Sequence, residues 1–300
     1  MDNLENMRAF LMVARSHSFS DAARRLELAP SVVTKRVNQL EWRLGAPLLQ
    51  RTTRSVSLTD LGERHLARME RLLRDYDDLV AGVLDRPEAL EGSLRVSAPA
   101  AMTTLVLPKL LASFQRKHPA VTLDIVVIDR SVNPVEEGFD VAIVVVPATY
   151  EGVAEEVLCP YPRVLCASPD YVRRHGRPSE PSDLAQHACI GFQPVGPSWT
   201  VPTPSGPVSV TVRPVLSSTD SRTVIEMVRQ GVGVSVLSRP TAHELLRRGE
   251  LIALLPEFPM PDLSVKAFTP PRRTGLARVR AFVEHLKRKL GAMSSLWKEA

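Results

Sequence analysis

The chain has 300 residues, 44% of them hydrophobic, and a formal net charge of +5. That is enough for two or three domains with real cores, and it excludes a disordered or fibrous chain. The N-terminus carries acids and no long apolar run, and no stretch is apolar for long enough to span a bilayer, so neither a signal peptide nor membrane insertion is expected. The three cysteines, Cys159, Cys166 and Cys189, are odd in number and lack metal-ligand or redox spacing. They suit a reducing cytoplasm, and Cys166 reads as core filler in an apolar run. Residues 1–60 hold nine Lys/Arg against six acids, so +3 of the +5 sits in the first fifth of the chain.

Leu4, Met7, Phe10, Leu11, Val13 and Ala14 predict an amphipathic first helix, broken at His17-Ser18-Phe19. Ser20 is expected to cap a second helix, with Phe19 as its hydrophobic staple and Ala22, Ala23 and Leu26 on its packing side. Leu28-Ala29-Pro30 interrupts it. Ser31 is expected to cap a third helix whose Val33, Val37 and Leu40 face inward. This leaves Ser31, Val32, Thr34, Lys35, Arg36 and Gln39 outside. Small, polar and basic side chains on one exposed helix suit a DNA major groove, with the second helix of a helix-turn-helix as reader. A helical hairpin with merely solvated charges is the plainer alternative.

Gly45 ends the third helix. The run from Pro47 to Thr59 predicts a small hairpin, the wing of a winged helix-turn-helix, with Arg51 and Arg54 at its tip for phosphate or a minor groove. Thr59 caps a long helix to about Leu84. Leu66, Met69, Leu73, Tyr76, Val80 and Val83 alternate by three and four, an a/d seam that predicts pairing between two chains. A helix packed on its own domain is the alternative. Residues 85–92 read as a hinge.

Beyond it, short apolar strands alternate with helices: 94–97, 121–128, 141–146, then a second set from about 162. This rhythm predicts a two-lobed α/β unit with a cleft suited to a small ligand. The expected domains are 1–60, 61–90 and 91–300. The first lobe takes about 91–161 and 268–300, and the second about 162–267. Scattered His118, His175, His187 and His243 fall in no catalytic motif, and no Gly-rich phosphate loop is present, so an enzyme is not expected. A transported solute-binding protein would have no use for the basic head.

The chain resembles LysR-type transcriptional regulators over nearly its full length. In the head the resemblance rests on Phe19-Ser20-Asp21-Ala22-Ala23-Arg24-Arg25-Leu26, Leu40-Glu41 with Leu44-Gly45, Leu48-Leu49-Gln50-Arg51 and Leu58-Thr59-Asp60-Leu61-Gly62. Further on it rests on Leu94-Arg95-Val96-Ser97-Ala98-Pro99, Glu136-Glu137-Gly138-Phe139-Asp140-Val141-Ala142-Ile143, the run Val164 to Tyr171, Asp183 to His187 and Gly231-Val232-Gly233-Val234. The resemblance implies an all-α winged helix-turn-helix, a linker helix and a periplasmic-binding-protein-like α/β effector domain of two lobes. The implied function is sequence-specific promoter binding controlled by a small-molecule effector. The implied partners are double-stranded DNA, further copies of the chain as dimers or tetramers, and RNA polymerase if it activates; no cofactor is implied.

Ser20, Pro30, Ser31, Val32, Thr34, Lys35, Arg36, Arg51 and Arg54 match the family's DNA-binding positions. Pro99, Ala100, Ala101, Met102, Thr103, Asp129, Val145, Phe192, Thr219 and Asp220 match its effector-binding segments. Thr103 could hold an anion with the helix-start amides or simply cap the helix. Family members commonly carry glutamine, serine and arginine-glutamine at 30, 34 and 35–36, so Pro30, Thr34, Lys35 and Arg36 imply a different base preference. A ligand-binding dimeric module without DNA activity is the alternative function.

Overall fold

The computed structural model describes residues 3–51, 55–83, 90–294 and 297. The chain divides into two compact units, Met1–Glu88 and Ala89–Ala300.

In the first unit α1 (Asn3–Ser16), α2 (Phe19–Arg25) and α3 (Pro30–Leu44) pack around Ala9, Phe10, Val13, Ala22, Ala23, Val33, Val37 and Leu40, all buried. Full burial of a side chain such as Phe10 is worth about 1.5–3 kcal/mol. The caps differ from expectation. Ser18, not Ser20, caps α2, its hydroxyl accepting the N–H of Asp21 at 3.2 Å. Ala29, not Ser31, is the N-cap residue of α3. Pro30 takes the first turn, where its fixed φ is helical and its missing N–H costs nothing. Gly45, at φ +70, closes α3 in the left-handed region.

The expected wing is present as β1 (Leu49–Arg51) paired antiparallel with β2 (Val56–Leu58). Next comes α4 (Asp60–Val83), with Thr59 Oγ1 accepting the N–H of Gly62 at 3.0 Å. Gly62 lies so close to the wing that a Cβ there would fall 2.2 Å from the Leu48 carbonyl oxygen. Met69 and Leu73 are buried in the head's own core, with Leu66 packed against it. The first half of the expected inter-chain seam is therefore intramolecular. Among the described side chains, the large apolar residues left exposed on α4 are Leu72, Tyr76, Leu79 and Val80. The side chain of Val83 lies outside the described set.

The second unit opens with β3 (Gly92–Ala98). A π-helical turn, Met102–Val106, leads into α5 (Leu107–Lys117). Pro108 explains the widening, since it cannot donate to the carbonyl four residues back and its ring would strike it. Then come β4 (Val121–Val127), α6 (Pro134–Glu137), β5 (Val141–Val144) and β6 (Ala154–Tyr161). The second lobe holds β7 (Arg163–Ala167), α7 (Pro169–His175), β8 (Cys189–Phe192), β9 (Ser198–Thr203), β10 (Gly206–Thr211), β11 (Pro214–Ser218), α8 (Ser221–Arg229), β12 (Ser235–Ser238), α9 (Arg239–Arg247) and β13 (Ile252–Ala253). The chain returns as β14 (Leu263–Thr269) and α10 (Ala277–Ser294).

The first lobe is one sheet in the order β4-β3-β5-β14-β6, parallel through β4, β3 and β5 and antiparallel at β14. Val96, Leu107, Phe114, Phe282 and Leu286 fill its core. Because β14 pairs with β6 from Leu263 to Thr269 and with β5 from Lys266 to Phe268, the chain re-enters this lobe at about 263, not 268. The second lobe is built from shorter ladders, β12-β7-β13, β11-β8 and the β9-β10 hairpin. Tyr161, the last residue of β6, accepts the Ser238 hydroxyl at 3.1 Å, tying the two lobes where the chain crosses.

Candidate DNA-reading face and ligand cleft

With Val33, Val37 and Leu40 turned inward, α3 exposes Pro30, Ser31, Val32, Lys35 and Asn38. Ser31, Thr34, Lys35, Asn38, Gln39 and Trp42 line a shallow groove on it. Trp42 is 82% exposed. It went unread in the sequence, although its spacing from Lys35 and Asn38 puts it on the same face, and an exposed tryptophan is uncommon without a partner surface. Lys35 is exposed with no ion pair among the described residues. Ser20 is exposed as well. The Thr34 hydroxyl donates to the Pro30 carbonyl at 2.9 Å.

Two of the three arginines expected to contact DNA are held by the fold. Arg36 Nη1 pairs with Glu5 Oε2 at 2.8 Å, joining α3 to α1. Arg51 Nη2 donates to Asn38 Oδ1 and Glu41 Oε2, both at 2.7 Å, and its guanidinium lies 4.8 Å above the Phe19 ring. Glu41 Oε1 meanwhile accepts the N–H groups of Leu48 and Leu49 at 2.9 and 3.0 Å. The wing is thus braced on the reading helix through one carboxylate. Arg54 lies outside the described residues.

In the second unit a cleft of about 110 Å³ opens between the lobes, approaching the ~150 Å³ at which an apolar protein cavity holds benzene. Pro99, Ala101, Asp129, Val145 and Phe192 line it as expected. The other expected residues do not. Met102 is fully buried in the first lobe's core, because the helical turn that begins there points its side chain into the sheet. Ala100 contributes a backbone N–H, which donates to Asp129 Oδ1 at 2.7 Å. Thr103 turns its hydroxyl to the Pro99 carbonyl at 2.9 Å, the helix-start bonding that was one of its two expected roles. Thr219 is exposed, and Asp220 caps α8 by accepting the Arg222 N–H and the Thr223 hydroxyl at 3.0 and 3.1 Å. Those bonds hold the Asp220 carboxyl below its ordinary range against the opposing effect of burial.

Sequence reasoning missed Tyr161, Arg163, Trp199, Ser221, Ile225 and Val236, all on the cleft wall. Trp199 carried a signal, since it alternates with Val201 on a strand, and both are buried. Burial pushes the Tyr161 hydroxyl to about 12, so it stays a neutral donor. Ser221 Oγ is buried with no hydrogen-bond partner among the described residues. Arg130 is clamped on Glu137 at 2.6 and 2.8 Å. The cysteines are all buried, which lifts Cys159 and Cys166 to about 12 and Cys189 to about 11. His187 is structural, its Nδ1 3.1 Å from the Tyr171 hydroxyl.

A helix-turn-helix head followed by a two-lobed α/β unit is the build of a transcriptional regulator with a substrate-binding domain. Residues 4–63 match the family described as "Bacterial regulatory helix-turn-helix protein, lysR family", and residues 87–291 match "LysR substrate binding domain". The chain belongs to the LysR family of DNA-binding transcriptional regulators. It is 32% identical over 291 residues to the regulator PtxR of Pseudomonas aeruginosa, covering 96% of this chain and 93% of that one. It is 31% identical over 288 residues to DmlR of Escherichia coli, covering 95% and 93%. Among solved structures, CrgA of Neisseria meningitidis superposes with a TM-score of 0.62 at 29% identity, covering 96% of this chain and 98% of that one. The virulence activator AphB of Vibrio cholerae shares the fold, with a TM-score of 0.61 at 22% identity over 95% and 98% of the two chains. No helix among the described residues is long and apolar enough to cross a membrane.

Proposed function

We propose that the protein binds promoter DNA through the outer face of α3, under control of a small molecule held between the lobes of the second unit. The observation that carries the DNA part is the exposed Lys35, without an ion pair among the described residues, beside Ser31, Val32, Asn38 and Trp42 on one helix face. Such a face offers a phosphate or guanine contact, hydrogen-bonding groups and methyls for thymine. Ser20 and Pro30, both exposed, and Arg54 are further contacts in this reading. The effector part is supported by the apolar cleft with its few polar groups.

The exposed stripe Leu72, Tyr76, Leu79 and Val80 supports pairing of α4 between two chains. Two heads would then read a two-fold-related site, and dimers could associate further into tetramers. The site of action is the cytoplasm, with RNA polymerase as a partner at activated promoters. A gel-shift at stated salt, with DNA upstream of the protein's own coding region, tests the reading. A specific shift that survives competitor DNA is expected. No specific shift there, and no enriched sequence from a random-DNA selection, would overturn it.

A further inference from the structure

We propose that the cleft takes a small apolar molecule carrying a single anionic group, and that Arg163 is the residue that reads that group. The proposal rests on the cleft being the ligand site, as argued above, and adds the ligand's chemical class.

The walls are mostly hydrophobic: the Val144–Val146 run, Phe192, Trp199, Ile225 and Val236 among them. Three charged side chains face the space, Asp129, Arg130 and Arg163. Two of them are already engaged. Asp129 accepts backbone N–H groups on both oxygens, from Ala100 at 2.7 Å and Ser221 at 3.4 Å. Arg130 is held bidentately by Glu137.

Arg163 differs. It begins β7, where the chain enters the second lobe, and its Nε donates to the Pro261 carbonyl at 2.7 Å. Among the described residues it forms no ion pair within 4 Å; the exposed Asp262 is the acidic neighbour that acts on it. A guanidinium has five N–H donors, and here one is used inside the protein. Burial pulls its pKa down while Asp262 partly offsets this, as expected for a cation short of a counter-charge. A half-buried charge without a partner is costly, and a carboxylate laid on the guanidinium fork would satisfy it with two parallel bonds. The same space shows Asp129 to any second anionic group, which disfavours a diacid. Pro99 and Ala101, on that side, bring no side-chain donors.

The test uses the full chain and matched sets of probes: hexanoate, hexanamide and adipate, then benzoate, benzamide and phthalate. Binding is read by thermal shift and titration. The monoacids are expected to raise the melting temperature, and the amides and diacids to leave it unchanged. Arg163→Gln is expected to weaken monoacid binding by about 10- to 100-fold. Arg163→Lys keeps the charge without the fork, so it should fall between and guards against a folding defect in the first variant. Amides or diacids binding as well as monoacids, or monoacids binding Arg163→Gln as well as wild type, would overturn the proposal and leave the cleft a ligand site. A panel in which nothing shifts the melting would overturn the proposed ligand class and leave the cleft open to a ligand of other chemistry.

Discussion

Asp129, in the first lobe, accepts the backbone N–H of Ser221, the first residue of α8 in the second, while its other oxygen accepts the N–H of Ala100. One carboxylate therefore holds the starts of two helices in different lobes, each with N–H groups that no helical carbonyl can reach. Replacing Asp129 by alanine strands both. We expect Asp129→Ala to destabilise the second unit by about 1–3 kcal/mol. Hydrogen exchange at the Ser221 amide should speed up, and unchanged exchange there would show that the tie is not maintained in solution.

Lys35 and Arg36 are neighbours with different work. Lys35 is exposed on the outer face of α3, whereas Arg36 is half-buried against Glu5. Lys35→Ala should weaken DNA binding and reduce the slope of log affinity against log salt by about 1, with no change in melting. Arg36→Ala should destabilise the head by about 1 kcal/mol or less, as for a partly solvated pair, and lower its melting temperature accordingly. The two readouts, run on both variants, separate a DNA contact from a brace.

On α4 the alternation of apolar residues divides between two jobs. Leu73→Ala opens a hole in the head's own core and should cost about 2–5 kcal/mol at any protein concentration. Leu79 is 65% exposed. Leu79→Glu should leave the head folded and shift sedimentation toward the monomer. A Leu79→Glu variant as dimeric as wild type would remove the exposed stripe from the interface.

His285 is buried in the first lobe, with Nε2 3.1 Å from the Leu110 carbonyl and 2.9 Å from the Ser113 hydroxyl. Burial, together with Arg288, Lys289 and Lys117, lowers its pKa below the ordinary 6.5, while the Leu110 hydrogen bond works the other way. The unfolded chain thus takes up this proton more readily than the folded one. The stability is fully present above pH 6.5 and is lost as pH falls below it toward the folded value. Melting temperature should drop between pH 6.5 and 5 in wild type and drop less in His285→Gln. Parallel profiles would exclude His285 as the titrating group.

Local pattern carried much of this architecture. Val33, Val37 and Leu40 repeat at helical spacing, and Ala29-Pro30 marks the turn, so the sequence pattern alone delimits α3. Where the pattern failed, the missing information was tertiary. The stripe Leu66, Met69, Leu73 is apolar on any account, but periodicity cannot say whether α1 or a second chain lies opposite. Arg36 and Arg51 read as free cations because Glu5 and Glu41 meet them only after folding. Tyr161 and Arg163 reach the cleft because two strands cross between the lobes there, which no run of adjacent residues announces. Met102 sits beside cleft residues in the chain and turns away from them in the structure.

The burial of Cys159, Cys166 and Cys189 carries a consequence for how this regulator meets oxidants. A thiol raised to about 12 is, at neutral pH, roughly one part in 10⁵ thiolate, and the thiolate is the species that attacks peroxides and disulfides. All three sulfurs also belong to the second unit, spread over β6, β7 and β8. Oxidation at these buried sulfurs is therefore expected to require transient opening of the second unit. Any adduct found on one of these sulfurs records how often that unit has come apart.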